Sequence, residues 1–275
     1  MLDKNKRIFQ SLIRSKPSPL LLEESKASFT ENFIYDYIKA ICCSESESFC
    51  NECEVCLKVE NRTYYDCCFL NAYDQNVSKE EISKILTNFS FSSLEKYNFK
   101  FLIIYGTENL SKQVSNMLLK SIESPSKNTF YIFVTRNYNS IINTIRSRCV
   151  FYKVSSNPTS FKEFLVNQKI DDKYLDFFVS NFYSTNEVLK FYSSENFSKI
   201  IEIYNMVVEK KLALTSIYTA LSKFKSLSYY EISSLLVLLE PFAKDDKKET
   251  VYYLINSLKY NINKTLVFNE ILGLV

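Results

Sequence analysis

Two apolar runs, KFLIIY at residues 100–105 and TFYIFVT at residues 129–135, decide the fold. Near-continuous apolar runs of this length are typical of strands that are buried on both faces of a sheet. The segment between the two runs stops near Pro125 and carries apolar residues at helical spacing, namely Val114, Leu118 and Ile122. A strand, a helix and a second strand in this order predict a parallel sheet with helices on both faces.

The same alternation extends outward from this stretch. Upstream, PLLL at residues 19–22 predicts a strand, and Ser28-x-x-Glu31 predicts the capping box of a helix that ends at a group of cysteines. Downstream, residues 149–154 predict a last strand. An α/β domain is therefore expected over the first part of the chain.

Beyond this domain the pattern is helical only. Ser160-x-x-Glu163 and Ser228-x-x-Glu231 predict helix starts. An α/β domain followed by two helical units accounts for the length of 275 residues.

Composition excludes several classes of protein. The chain has no His and two Gly, Gly106 and Gly273. Without His there is no Ser-His-Asp triad, no Cys-His protease and no HExxH zinc hydrolase. Two distant glycines cannot build a GxGxxG dinucleotide loop or a GxxxxGK[ST] phosphate loop. The net charge of +3 is too small to predict nucleic-acid binding. We expect a cytoplasmic protein with no membrane partner, because the chain lacks a secretion signal and a spanning apolar run.

The cysteine spacing indicates a metal site. Cys50-x2-Cys53-x2-Cys56 places three thiols within seven residues, and Cys42 and Cys43 lie just upstream. Because no secretion signal is present, this spacing favours a metal over disulfides. Four thiolates suit tetrahedral Zn²⁺, so a structural zinc site is predicted, with Cys42 or Cys43 as the fourth ligand. A cluster of free thiols is the alternative.

Two short motifs resemble a known family. Residues 118–125, LLKSIESP, precede the TFYIFVT run, and residues 144–149, TIRSRC, follow it. Together they resemble the LLKTLEEP and TIRSRC signature of bacterial clamp-loader AAA+ subunits. The cysteine module after the first helix is a second mark of that family. It favours Cys43 as the first ligand, although the interval from Cys43 to Cys50 is shorter than usual in the family and leaves Cys42 open.

The resemblance implies three domains. They are an AAA+ like α/β domain over residues 1–155 with a zinc module near residues 43–56, an all-α lid over 156–204 and an all-α collar over 205–275.

The resemblance also indicates a branch of the family. In the motor branch (gamma/tau), the first strand leads into a phosphate loop. EESKASFTE at residues 23–31 takes that place without a glycine, and Thr30 stands where the phosphate-binding Lys would be. The metal-binding acidic pair falls on Tyr105 and Gly106, and the lid arginine falls on Glu187. These replacements predict no nucleotide site and no intrinsic ATPase activity, so the chain resembles the non-hydrolysing delta-prime branch of the DNA polymerase III holoenzyme.

Ser147-Arg148-Cys149 is retained. The resemblance implies that Arg148 is an arginine finger, which acts in trans on ATP bound by a neighbouring motor subunit. A planar guanidinium stabilises the charge that develops on the γ-phosphate oxygens during hydrolysis. The alternative is a structural Arg148 that caps the short helix before it or pairs with an acid.

The implied partners are the motor (gamma/tau) and delta subunits and, within the assembly, the sliding clamp and primer-template DNA. Two other functions stay open at this point. One is an active ATPase of the motor branch, and the other is a zinc-stabilised module that binds nucleic acid directly.

Overall fold

The computed structural model describes residues 11–12, 15–16, 18–46, 48–210, 213–258 and 262–274. The chain divides into two units, residues 1–161 and residues 162–275. The first unit contains one five-stranded sheet in the order β2-β3-β4-β1-β5, and every neighbouring pair is parallel. The predicted parallel α/β architecture is therefore confirmed. The strands are β1 (Leu20–Glu24), β2 (Cys67–Asn71), β3 (Lys100–Tyr105), β4 (Thr129–Thr135) and β5 (Val150–Val154).

Alternate residues of the strands supply a core on each face of the sheet. Leu20 and Leu22 belong to one core and Leu21 to the other, and all three are fully buried. Helices α1 (Thr30–Cys42) and α2 (Glu54–Glu60) cover the first face. The opposite face is covered by α3 (Lys79–Ser90), α4 (Lys112–Glu123) and the short α5 (Asn143–Arg146). A strand between two such cores reads as continuously apolar, which is why β3 and β4 have their predicted bounds.

Two predicted helix starts are wrong. Helix α1 begins at Thr30 without a side-chain cap, because the Ser28 hydroxyl lies 2.9 Å from the Thr30 hydroxyl and makes no bond to a backbone N–H. The helix predicted from Ser160 begins at Pro158, where the Asn157 carboxamide accepts the Ser160 N–H at 3.2 Å. The capping box predicted at Ser228 is confirmed, with both reciprocal bonds present.

The second unit is helical, as predicted. Helix α9 (Glu195–Val208) packs against α10 (Leu214–Ser226) and α11 (Tyr229–Leu239). Helix α10 also packs against α13 (Lys264–Leu272), and α11 packs against α12 (Lys248–Ser257). The predicted boundary between lid and collar, at residue 204, falls inside α9, and this subdivision stays a prediction. In the part of the chain that the structure describes, no helix combines the length and apolar character needed to cross a bilayer. The helices from Pro158 onward are α6 (Pro158–Asn167), α7 (Leu175–Asn181), α8 (Thr185–Tyr192), α9 (Glu195–Val208), α10 (Leu214–Ser226), α11 (Tyr229–Leu239), α12 (Lys248–Ser257) and α13 (Lys264–Leu272).

Candidate functional site

Four cysteine sulfurs converge between the end of α1 and the start of α2. The Sγ atoms of Cys43, Cys50, Cys53 and Cys56 all lie within 4.8 Å of one another. The Sγ of Cys43 lies 3.8 Å from that of Cys50 and 3.9 Å from that of Cys53, and 4.0 Å separates Cys50 from Cys56. A zinc tetrahedron with Zn–S bonds near 2.3 Å has edges of about 3.8 Å. The cluster therefore has the size and the donor atoms of a structural zinc site.

Backbone donors prepare one of these sulfurs for a metal. The Cys50 Sγ accepts the N–H of Cys53 at 3.2 Å and the N–H of Glu52 at 3.5 Å. These two bonds stabilise the thiolate and lower the pKa of Cys50 to about 7. The thiolate is the form of cysteine that binds metals. Local loop geometry thus supports a ligand role before any ion is considered.

Cys42 lies outside the cluster. It is buried in the core beneath the sheet, where its Sγ lies 3.9 Å from the Tyr64 hydroxyl. Burial raises the pKa of Cys42 to about 12, so the thiol stays protonated. The structure therefore brings Cys43 to the other three cysteines and directs Cys42 into the protein core.

A buried lysine that the sequence pattern did not indicate ties the cysteine loop to its two helices. The Lys39 side chain, 6% exposed, donates to the Asn51 carboxamide at 3.0 Å. Its ammonium also pairs with Glu60 at the end of α2 and lies 3.6 Å from Asp36 on α1. One cation thus connects α1, the loop and α2. No local spacing in the sequence carries this signal, because the partners come from three segments.

The positions that the resemblance aligns with nucleotide-binding residues of the motor branch are Thr30, Tyr105 and Gly106. Thr30 is buried at the start of α1. Tyr105 ends β3, and its hydroxyl is buried without a hydrogen-bond partner in the described part of the chain. Gly106 has φ of +71°, and a Cβ at this position would lie 2.8 Å from the Tyr73 backbone nitrogen. A side chain at position 106 therefore cannot project toward a ligand without moving the backbone.

An internal arginine occupies the same carboxyl edge of the sheet. Arg136 follows β4, and its Nε donates to the Glu24 carboxylate at 3.1 Å. The Arg136 guanidinium lies 4.0 Å above the Tyr73 ring, and the Arg136 N–H donates to Glu108 at 2.9 Å. The Glu24 side chain is 4% exposed. Ligands of open parallel sheets bind outside the carboxyl ends of the strands, and the Arg136–Glu24 ion pair lies at that edge.

Arg148 lies two residues beyond α5 and is partly exposed. Its Nη1 donates to the Thr144 carbonyl at 2.9 Å, and its Nη2 lies 2.6 Å from Glu123 Oε1. Both contacts of the structural alternative, a helix cap and an acidic partner, are thus present, while 39% of the side chain stays exposed. Ser147 is exposed, whereas Cys149 packs against the core and its burial raises its pKa to about 12.

Glu187, where the lid arginine was expected, lies in the first turn of helix α8. Its N–H donates to the Ser184 hydroxyl at 3.2 Å, and its carboxylate accepts the Tyr183 N–H at 3.2 Å. The residue therefore belongs to the cap of α8.

Comparison with known proteins identifies a family for this chain. The family model described as DNA polymerase III, delta subunit matches residues 4–158, more than half of the chain. A Mycoplasma pneumoniae protein named as an uncharacterized homologue of MG007 is 26% identical over 92% of this chain and 97% of its own length. DNA polymerase III subunit delta' of Bacillus subtilis is 22% identical over 59% of this chain. A gamma subunit of DNA polymerase III from Buchnera aphidicola (subsp. Schizaphis graminum) is 32% identical over 38% of it.

The matches to named subunits are partial. They span 50% of the Bacillus protein and 29% of the Buchnera protein. A solved structure of a DNA polymerase III gamma subunit-related protein from Thermotoga maritima superposes with a TM-score of 0.61 and 16% identity, covering 97% of each chain. At this identity the superposition supports the fold alone.

Proposed function

The chain belongs to the DNA polymerase III delta-subunit family, the clamp-loader family of delta-prime proteins, and we propose that it is a clamp-loader subunit that does not hydrolyse ATP and supplies Arg148 in trans to a neighbouring ATPase subunit. The observation that carries the proposal is the carboxyl edge of the sheet, where Arg136 and Glu24 form an internal ion pair. This internal ion pair supports a chain that does not bind nucleotide itself and acts on ATP that another subunit holds.

The electrostatics of this edge argue against nucleotide binding. The loop after β1 has no glycine, so it lacks the close backbone N–H groups that cradle phosphates. Glu23, Glu24 and Glu31 bring negative charge toward the same loop. Each of these carboxylates pairs with a cation of the chain itself: Glu23 with Lys153, Glu24 with Arg136 and Glu31 with Arg62. The missing glycine loop and this internal pairing therefore support a chain that does not bind a triphosphate.

Arg148 has the properties that a finger in trans needs. Its guanidinium has five N–H donors, of which Thr144, Ser147 and Glu123 engage at most three. The remaining donors can contact the γ-phosphate oxygens of a nucleotide on the neighbouring subunit. Arginine fingers increase the rate of hydrolysis by a factor of roughly 10³–10⁵. In this proposal the chain controls ATP turnover without binding ATP itself.

We propose that zinc is a structural cofactor, held by Cys43, Cys50, Cys53 and Cys56. The ion would cross-link the end of α1, the loop and the start of α2, and its chemistry there is structural because four sulfurs leave no open position. Cobalt(II) titration of the metal-depleted protein tests the site, since a tetrahedral all-sulfur site gives an intense charge-transfer spectrum. Cys53→Ser should abolish that spectrum, whereas Cys42→Ser should retain it.

The zinc module's charge argues against the second alternative, direct nucleic-acid binding. Residues 43–60 contain five Glu and one Lys. Phosphate recognition depends on Lys and Arg, so a module of this charge repels nucleic acid. Salt-dependent DNA binding by the isolated chain would favour the alternative, and its absence would favour the loader.

Assembly is the other part of the proposal. We expect motor (gamma/tau) and delta subunits as direct partners, and the sliding clamp and primer-template DNA as partners within the assembly. Residues 156–204 would supply the lid and residues 205–275 the collar.

The test is ATP hydrolysis by a loader reconstituted with its motor and delta subunits, clamp and primed DNA. Arg148→Ala should remove the contribution of the one ATP site that this chain completes, and the hydrolysis rate of the other sites should stay unchanged. Gel filtration should show that the loader still assembles. An unchanged rate would contradict the finger. ATP binding by the isolated chain would instead favour the motor-branch alternative, because the sheet edge predicts none.

A further inference from the structure

We propose that Glu123 is the positioning residue for Arg148. It holds the guanidinium, together with the Thr144 carbonyl, in the partly exposed position from which it reaches the neighbouring nucleotide. The inference rests on the proposed finger role of Arg148. It gives a function to Glu123 of the LLKSIESP motif, whose presence the finger role does not explain.

Glu123 and Arg148 come from two separate segments of the chain. Glu123 is the last residue of α4, and Arg148 follows α5 after the intervening strand β4. The Arg148 Nη2 lies 2.6 Å from Glu123 Oε1, and 48% of the glutamate side chain is exposed. Helix α4 is itself fixed, because Leu118 and Ile122 are buried in the core against the sheet. The carboxylate is therefore presented from a rigid element.

Two anchors fix the direction of the finger. The Thr144 carbonyl, in the short helix α5 before the arginine, accepts from Nη1 at 2.9 Å. Glu123, at the end of α4, engages Nη2. An unanchored arginine side chain samples many rotamers and loses that freedom when it engages a ligand. Anchors that act before the nucleotide arrives transfer this cost to folding, which is how preorganised catalytic groups gain rate.

The exposure of the pair sets the size of the effect. Ion pairs between exposed side chains contribute little, because water and salt screen them. Loss of the Glu123 charge should therefore lower the turnover that depends on Arg148 by about two- to fivefold, far less than loss of the finger itself.

The experiment measures ATP turnover by the reconstituted loader with Glu123→Gln, with Arg148→Ala and with both changes. Glu123→Gln keeps the shape and removes the charge, whereas Glu123→Asp keeps the charge and should retain more activity. The control is Glu202→Gln, which removes an exposed ion pair with Lys223 in the second unit. Thermal unfolding of each variant checks that the fold is retained.

We expect Glu123→Gln to lower kcat and to leave the KM for ATP unchanged. In the Arg148→Ala background, Glu123→Gln should have no further effect. The control Glu202→Gln should leave kcat unchanged. An unchanged or higher kcat in Glu123→Gln, with Arg148→Ala still impaired, would overturn the positioning role and leave the finger intact. An additive effect in the double variant would also overturn it. If Arg148→Ala has normal turnover, the proposed function fails and the positioning role fails with it.

Discussion

Replacing Gly106 by Ala tests the geometry of the sheet edge directly. Gly106 has φ of +71°, and an added Cβ would lie 2.8 Å from the Tyr73 nitrogen and 2.9 Å from the Ala72 carbonyl carbon. The left-handed backbone costs an L-residue about 1–2 kcal/mol, and overpacking a fixed site costs about 1–3 kcal/mol more. Because both contacting atoms belong to the backbone, the clash cannot be relieved by a side-chain rotation. We expect the free energy of unfolding to fall by about 3 kcal/mol.

The chain contains a matched control, its second glycine. Gly273 has an ordinary φ of −94°, and a Cβ there would lie 3.6 Å from the Glu270 carbonyl oxygen. Gly273→Ala should therefore change the free energy of unfolding by less than about 0.5 kcal/mol. Urea unfolding followed by far-UV circular dichroism measures both variants, since the chain has no Trp. Deuterium exchange should assign the loss in Gly106→Ala to residues 1–161. Equal stability of the two variants would refute the reasoning.

Three other perturbations probe separate parts of the chain. Arg136→Met removes the cation beside the buried Glu24 carboxylate and should lower the free energy of unfolding by about 2–3 kcal/mol, with partial recovery on adding Glu24→Gln; full stability in urea would contradict the ion pair's role. Chelation of bound metal should raise amide exchange in residues 43–60 while β3 and β4 stay protected, and uniform protection would argue against a structural ion. Lys169→Gly should stabilise the chain by about 0.5–1 kcal/mol, because Lys169 has φ of +60°, and a lower urea midpoint would contradict this.

The sheet could be predicted from sequence because its signal is local. KFLIIY and TFYIFVT gave β3 and β4 their observed bounds, since a strand between two cores is apolar at every position. Helix starts were predictable where a side chain caps the backbone, as at Ser228, and not where it bonds another hydroxyl, as at Ser28. The cysteine cluster was predictable because its spacing is local too. The structure was needed to separate Cys43, which lies in the cluster, from Cys42, which is buried outside it.

The remaining features of the site depend on residues far apart in sequence. Arg136 and Glu24 are separated by 112 positions, and no short pattern joins them. Their pairing follows from the parallel register of β1 and β4, which places Glu23 opposite Thr135. Glu123 stood in a recognisable motif, but its contact with Arg148 required the relative placement of α4 and α5. The sequence predicted a finger role for Arg148, which stays a prediction, and did not indicate the contact of Arg148 with Glu123.

The sheet edge around Gly106 and Arg136 limits which single substitutions the chain can accept there. Under the proposed function, ATP hydrolysis at this edge would need acidic residues at the end of β3, and a side chain at position 106 meets the backbone of residues 72–73. Removal of Arg136 would take away the cation that pairs with the buried Glu24 carboxylate. Each step taken alone destabilises the chain before any step restores a catalytic group. Under the proposed function, a gain of ATP chemistry at this edge therefore needs several simultaneous substitutions.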